Sequence, residues 1–586
     1  MSPRSRFAHR SAVAAALAAA LAAPTAAAQD AHAHGGDAER LGRVAFPSSC
    51  NAAARPLVER GVAMLHSFWF EQAQHTFQEA AAADPACAMA PWGVAMTLLG
   101  NPYAAADPPL PRRRAAVEAA RRAVELARTA TPRERGYADA ALALYLDHET
   151  VPYRARMQAH EEALRRLREA VPDDPEAAIF HARAVIANAP PSDLTFARQR
   201  LAAGILEPLF GRQPDHPGLA HYLIHANDAP PIARLGLAAA RRYADIAPSA
   251  PHALHMPSHI FTRLGYWDES IATNRRSAAA EPDSNAAVHP MDYMVYAYLQ
   301  QGRDAEAKRV VDRVPRTDSR AYAAVAGYNL VAMPARYALE RGRWDEAAQL
   351  ALPAGVSPQV EAITRFARAV GAARGGRLDA ARAVIAALAV LRDSLAGRRD
   401  EYWATIVGAQ RLAAEAWLAR AAHDDARAVR LAREAAELEE TVEKHPVTPG
   451  PLLPARELEG DLLLELRQPA EALRSYELTL RRGAEPGADA VRRGARGRAG
   501  GKPDRRRPLL RGVPGAHAQC RPAAAGARRG ARVHGRTIHC PALTLEGSIH
   551  RERPRRGVRG GGVSRQRMDD GPGGVSTSWR AWLAER

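Results

Sequence analysis

At 586 residues the chain exceeds what one ordinary compact core supports, whereas a stacked repeat array has no such ceiling. Hydrophobic residues make up 47%, largely alanine, against only 6% aromatic, and this β-branch-poor mixture with Leu, Glu and Arg favours helix throughout. The formal charge of +17 would suggest nucleic acid, but about 23 basic and about 7 acidic side chains lie beyond Gly487, leaving about 58 against about 57 in the body, so basicity supports no nucleic-acid role for the folded part.

In chain order, Arg4, Arg6 and Arg10 precede an apolar run from Ala12 to Ala23, and Ala26-x-Ala28 supplies a small-residue cleavage site. Residues 1–28 therefore read as a signal peptide, and the mature protein as periplasmic or secreted. The run is too short for a membrane anchor, and no later stretch is long enough to span a bilayer. Residues 29–45 are polar and contain glycine, which predicts a flexible lead-in; Asp30-Ala31-His32 would chelate Cu(II) or Ni(II) only if processing fell after Gln29. Cys50 and Cys87, the only cysteines before the tail, each precede a predicted helix. If those helices are equivalent members of adjacent repeats, a disulfide joins their starts in an oxidising compartment.

The first clear unit is RGVAMLHSFWFEQAQHTFQEAAAADPACAMAPWGVAM, in which Gly61, Ala73, Phe77, Ala80 and Pro85 stand at small, small, aromatic, small and terminating positions. On these residues the chain resembles tetratricopeptide repeat proteins. The physical logic agrees: Gly61 and Ala73 allow close helix approach, Phe77 fills the space between helices, and Asp84-Pro85 ends the second helix. A helix follows near Arg112–Thr129, and another opens with Thr131 as N-cap and Pro132 in its first turn. Later units repeat the rhythm with Gly265, Gly302 and Ala307, then with Gly460, Ala472 and Tyr476. Trp267 and Trp344 take turn positions and are assigned to the core. KHPVTPGPLLP reads as an ordered loop closing over a repeat edge. The predicted fold is all-α, a right-handed superhelical solenoid of helix-turn-helix repeats over residues 46–486. Beyond Gly487 the periodicity stops, and Arg, Gly and Pro dominate. That tail, with Cys520 and Cys540, is either a disordered basic extension or the product of a shifted reading frame in a GC-rich gene.

The most informative stretch is HYLIHANDAPPIARLGLAAARRYADIAPSAPHALHMPSHIFTRLG. His221/His225 and His255/His259 are both i, i+4 pairs, so each pair lies on one helix face. The second pair follows the first after 34 residues, one tetratricopeptide period. Equivalent helices of neighbouring units pack about 8–10 Å apart, so imidazoles from both can converge. Zinc and copper accept neutral imidazole, and the four histidines make a first-choice metal shell. His252 and Asp228 are further metal candidates, while His289, Asp292, His181 and His66 are secondary groove candidates. Pro257 breaks the helix inside the second pair, and such local rule-breaking concentrates at functional sites.

The resemblance implies a scaffold that recognises a peptide or partner protein in a concave groove, and the signal peptide makes it an exported one. A periplasmic copper- or zinc-binding protein is the alternative, with a metal-dependent hydrolase third. No HExxH, phosphate loop, nucleophile elbow or dinucleotide fingerprint occurs, and no catalytic residue is assigned.

Overall fold

The computed structural model describes residues 39–104, 106–282, 284–314 and 325–482. The signal-peptide segment, the Asp30-Ala31-His32 motif and the whole tail beyond Gly487 lie outside the described residues. What is described is all-α: helices follow one another in chain order, each packed on the next. A second set of contacts skips one helix. Ala54–His66 touches Met89–Leu99, which touches Pro132–Tyr145; Pro175–Ala187 touches Pro217–Ala226; Val288–Gln300 touches Val325–Glu340, and the series continues to Ala455–Glu465. Alternate helices thus form a continuous layer, with their partners packed outside it. This is the helix-turn-helix solenoid that the period implies.

Local chemistry explains where the helices begin and how closely they pack. Thr131 and Glu134 form a reciprocal capping box with Pro132 in the first turn. The Asp174 side chain accepts from the Glu176 N–H, and the His216 ring accepts from the Leu219 N–H, each just ahead of a proline. A Cβ on Gly61 would sit 2.8 Å from the Phe77 ring, and one on Gly93 would sit 2.3 Å from it. Both glycines are therefore required by close approach, and Phe77 is fully buried between their helices. Truncating Phe77 to alanine would leave a cavity costing about 3–5 kcal/mol. Gly460 and Tyr476 repeat the same device near the other end of the array.

Of the lead-in, residues 29–38 lie outside the described residues, and the described end, residues 39–45, is tied down rather than flexible: Leu41 is buried, and Phe46, the first residue past it, stacks on Trp92 at 5.2 Å. Arg43 donates its N–H to the Asp215 carbonyl, and Arg40 and Ser249 exchange bonds. Gly42, at φ +81°, sits where a Cβ would meet the Asp215 carbonyl oxygen at 2.6 Å. Trp267 and Trp344 are half-buried rather than central to the core. Cys50 and Cys87 are joined in a disulfide. No helix among the described residues is long and apolar enough to cross a membrane.

Candidate metal centre

The layer of alternate helices carries the histidines. His221 and His225 lie on Pro217–Ala226, His252 and His255 on Pro251–His255, His259 on Pro257–Arg263, and His289 near the start of Val288–Gln300. As expected from Pro257, the helix is interrupted at Met256, with His252 and His255 on the piece before it and His259 on the piece after. The four first-choice ligands do not form one shell. They divide into two clusters, each an i, i+4 pair completed by a third ring: His221, His225 and His252 in one, His255, His259 and His289 in the other. Within each cluster the facing nitrogens lie within 4.8 Å of one another. The clusters abut, with ring centroids 5.6 Å apart for His225 and His259 and 5.8 Å for His252 and His255.

Tautomers follow from the partners. The Asn274 amide donates through Nδ2 to the Ser270 carbonyl, which leaves its Oδ1 to accept the His255 Nδ1–H at 2.6 Å. His259 donates Nδ1–H to Asp228 Oδ2 at 2.9 Å, and His221 donates Nδ1–H to the His66 carbonyl at 2.6 Å. In all three rings Nε2 therefore carries a lone pair and no proton. Yet Nε2 of His255 and Nε2 of His259 face each other at 3.0 Å. The His221 Nε2 is approached by the Nε2 atoms of His225 at 3.1 Å and His252 at 3.2 Å. Between His255 and His259 two lone pairs at that distance repel unless a cation lies between them, whereas no Nδ1 partner fixes the tautomers of His225 and His252, and an Nε2–H of one of them can donate to His221. With a metal–nitrogen bond of about 2.0–2.1 Å, adjacent ligand nitrogens are about 2.9 Å apart in an octahedron and about 3.4 Å in a tetrahedron, and the observed spacings fall between. Burial pushes the pKa of each of the six rings below its ordinary value, and neighbouring imidazoles push most of them further down. A proton is thus a poor candidate for the shared cation.

The outer partners of His259, His255 and His221 are those expected around ligating histidines: a carboxylate, an amide oxygen and a backbone carbonyl, respectively. Asp228 is one of them rather than a ligand, since it also accepts from Arg263 Nε and Lys444 Nζ, both at 2.9 Å. Burial works against its carboxylate, but Lys444 and Arg263 outweigh that and hold its pKa well below the ordinary value. Lys444 is itself pulled down to about 8 by burial. It belongs to residues 441–454, the connection between the helices Asp425–Glu439 and Ala455–Glu465, which crosses the histidine-bearing helices. Glu443 pairs with Arg263, and Tyr293, whose hydroxyl is 3.3 Å from His259 Nδ1, donates to the Thr448 carbonyl. Arg336 donates to the carbonyls of Gly450 and Pro451.

The other candidates stand elsewhere. His66 closes the helix Ala54–His66 and faces Glu176, not the six rings, although its carbonyl orients His221. His181 is buried on Pro175–Ala187 in neither cluster. Asp292 faces Arg336 at 3.6 Å, both fully buried, and burial raises its carboxyl to about 6. Sequence reasoning missed Glu176 and His216, whose only local trace is their position at helix starts beside Pro175 and Pro217. It also gave His289 too little weight. His289 and Tyr293 stand one further 34-residue step beyond His255 and His259, so the period itself marks them.

No protein-family model matches the chain, and no curated protein does. Among solved structures it is similar to the APC/C hetero-tetramer Cut9–Hcn1, at 13% identity over 70% of this chain and 76% of that one, with a TM-score of 0.33. It is also similar to the TPR domain of P58(IPK), at 13% over 71% and 99% with a TM-score of 0.18, and to yeast Tom70, at 10% over 76% and 95% with a TM-score of 0.24. Scores this low add nothing to the fold assignment, which follows from the helix pairing itself.

Proposed function

We propose that this is a transition-metal-binding protein built on a helical-repeat scaffold, with one metal ion in each trihistidine cluster. The observation that carries this is the 3.0 Å contact between Nε2 of His255 and Nε2 of His259, whose Nδ1 protons are both committed elsewhere. All-imidazole donors suit zinc and copper, and three protein ligands leave a coordination position for a further group. The Cys50–Cys87 disulfide supports folding in an oxidising compartment, in keeping with the export signal read from residues 1–28. The peptide-binding scaffold draws no comparable support, since residues 441–454 cover the histidine-bearing helices where a groove ligand would lie.

The test is elemental analysis of the purified full chain after zinc or copper loading and exhaustive dialysis. Two metal ions per chain are expected, falling to one in His255→Ala/His259→Ala. A protein that retains less than one ion at neutral pH, or a variant that retains both, sinks the proposal.

A further inference from the structure

We infer that the two trihistidine clusters act as one two-metal centre that takes a small inorganic anion from solution between its ions. This rests on the metal-binding proposal and deepens it. The first argument is electrostatic. All six ligands are neutral imidazoles, so two divalent ions bring four positive charges into a buried site with no anionic ligand. The nearby carboxylates are balanced by cations: Asp228 by Arg263 and Lys444, Glu443 by Arg263, and Asp292, whose oxygens make no hydrogen bond, by Arg336 at 3.6 Å. Asp228, Glu443, Arg263 and Lys444 carry two charges of each sign and offer the metals no net compensation. Uncompensated charge in a buried site is strongly disfavoured, so the counter-charge must come from outside.

The second argument is positional. His252, His255 and His259 lie on one interrupted helix, yet His252 serves the first cluster and the other two serve the second. The ions therefore flank the same stretch of backbone, with the His225–His259 and His252–His255 ring contacts between the two ligand sets. With three protein ligands each, both have room for one more donor, and a single anion can satisfy both. The third argument is access. Each cluster has two buried rings and one partly exposed ring, His252 in the first and His289 in the second, so solvent reaches both.

Azide and Cu(II) are the probes. The full chain is loaded with two equivalents of Cu(II), then followed by electron paramagnetic resonance and by optical titration with sodium azide. The expected result is spin-coupled copper, with integrated intensity well under two spins per chain, and an azide-to-copper charge-transfer band that saturates at one azide per copper pair. His252→Ala, which dismantles only the first cluster, should restore an uncoupled one-copper spectrum and weaken azide at least about tenfold. Two copper ions with full, independent spectra would overturn the inference while leaving metal binding intact. The same holds for azide saturating at two per chain, or for no azide band. A charge-transfer band present without azide and lost in Tyr293→Phe would also overturn it, by assigning the anion to the protein. Failure to bind copper or zinc at all would instead remove the metal proposal on which it stands.

Discussion

Around Glu176, two imidazoles face one carboxylate, and each of their four ring nitrogens has a partner of the right kind. His66 and His216 both donate from Nε2 to Glu176, at 2.9 and 2.7 Å; the Tyr222 hydroxyl serves His66 Nδ1, and the Leu219 N–H donates to His216 Nδ1. All three side chains are buried, and their ligand-type atoms lie as close together as those of the trihistidine clusters. The difference is chemical. In the Glu176 group donors meet acceptors, so the geometry closes without an ion, whereas between His255 and His259 acceptor meets acceptor. Proximity of histidines is therefore weak evidence for a metal, and proton bookkeeping on each ring is much stronger.

This contrast can be broken most sharply at the metal. His259→Ala should cost a whole bound ion, measured by mass spectrometric metal analysis, with the first cluster still loaded. Glu176→Gln should do the reverse: metal content unchanged, but folding stability lowered by about 3–5 kcal/mol in chemical denaturation, the usual cost of breaking a buried ionic group. If Glu176→Gln released metal instead, the division between the two groups would be wrong. Asp228→Asn keeps the shape of the His259 partner and loses its charge; a decrease of about 10–100-fold in affinity is expected for one ion only, by competition with a chromophoric chelator. His160 is the control for burial alone. It donates Nδ1–H to the Ala140 carbonyl, its Nε2 has no partner, and burial lowers its pKa to about 4. Because the folded value lies below the unfolded one of about 6.5, it costs nothing above that pH, and protonation of the unfolded chain then removes stability as pH falls. Between pH 7 and pH 5 this amounts to about 2 kcal/mol, and His160→Leu should flatten that part of the stability profile.

The helical architecture was legible because its signals are local or periodic. Gly61 with Phe77, the Thr131 cap and the proline-terminated helices each act within a few residues or one repeat. The paired histidines were legible for the same reason. Their division into two clusters was not, since it depends on which helix lies beside which: His252 meets His221 and His225, while His255 and His259 meet His289. Glu176 and His216 left almost no trace: they are 40 residues apart, and no spacing rule links a glutamate after Pro175 to a histidine before Pro217. In the described end of the lead-in, residues 39–45, the polar composition hid the anchor: Leu41 is buried there, and Phe46 just beyond it packs on Trp92.

Lys444 reaches Asp228 from 216 residues further along the chain. The ion pair that steadies Asp228, the carboxylate partner of His259, can therefore form only once helices made much later have docked, which places completion of this cluster at the end of folding and not during synthesis. If the clusters hold metal as proposed, a protein truncated before residue 441, with that face of the histidines open to water, should exchange its ions with the medium far faster than the whole chain.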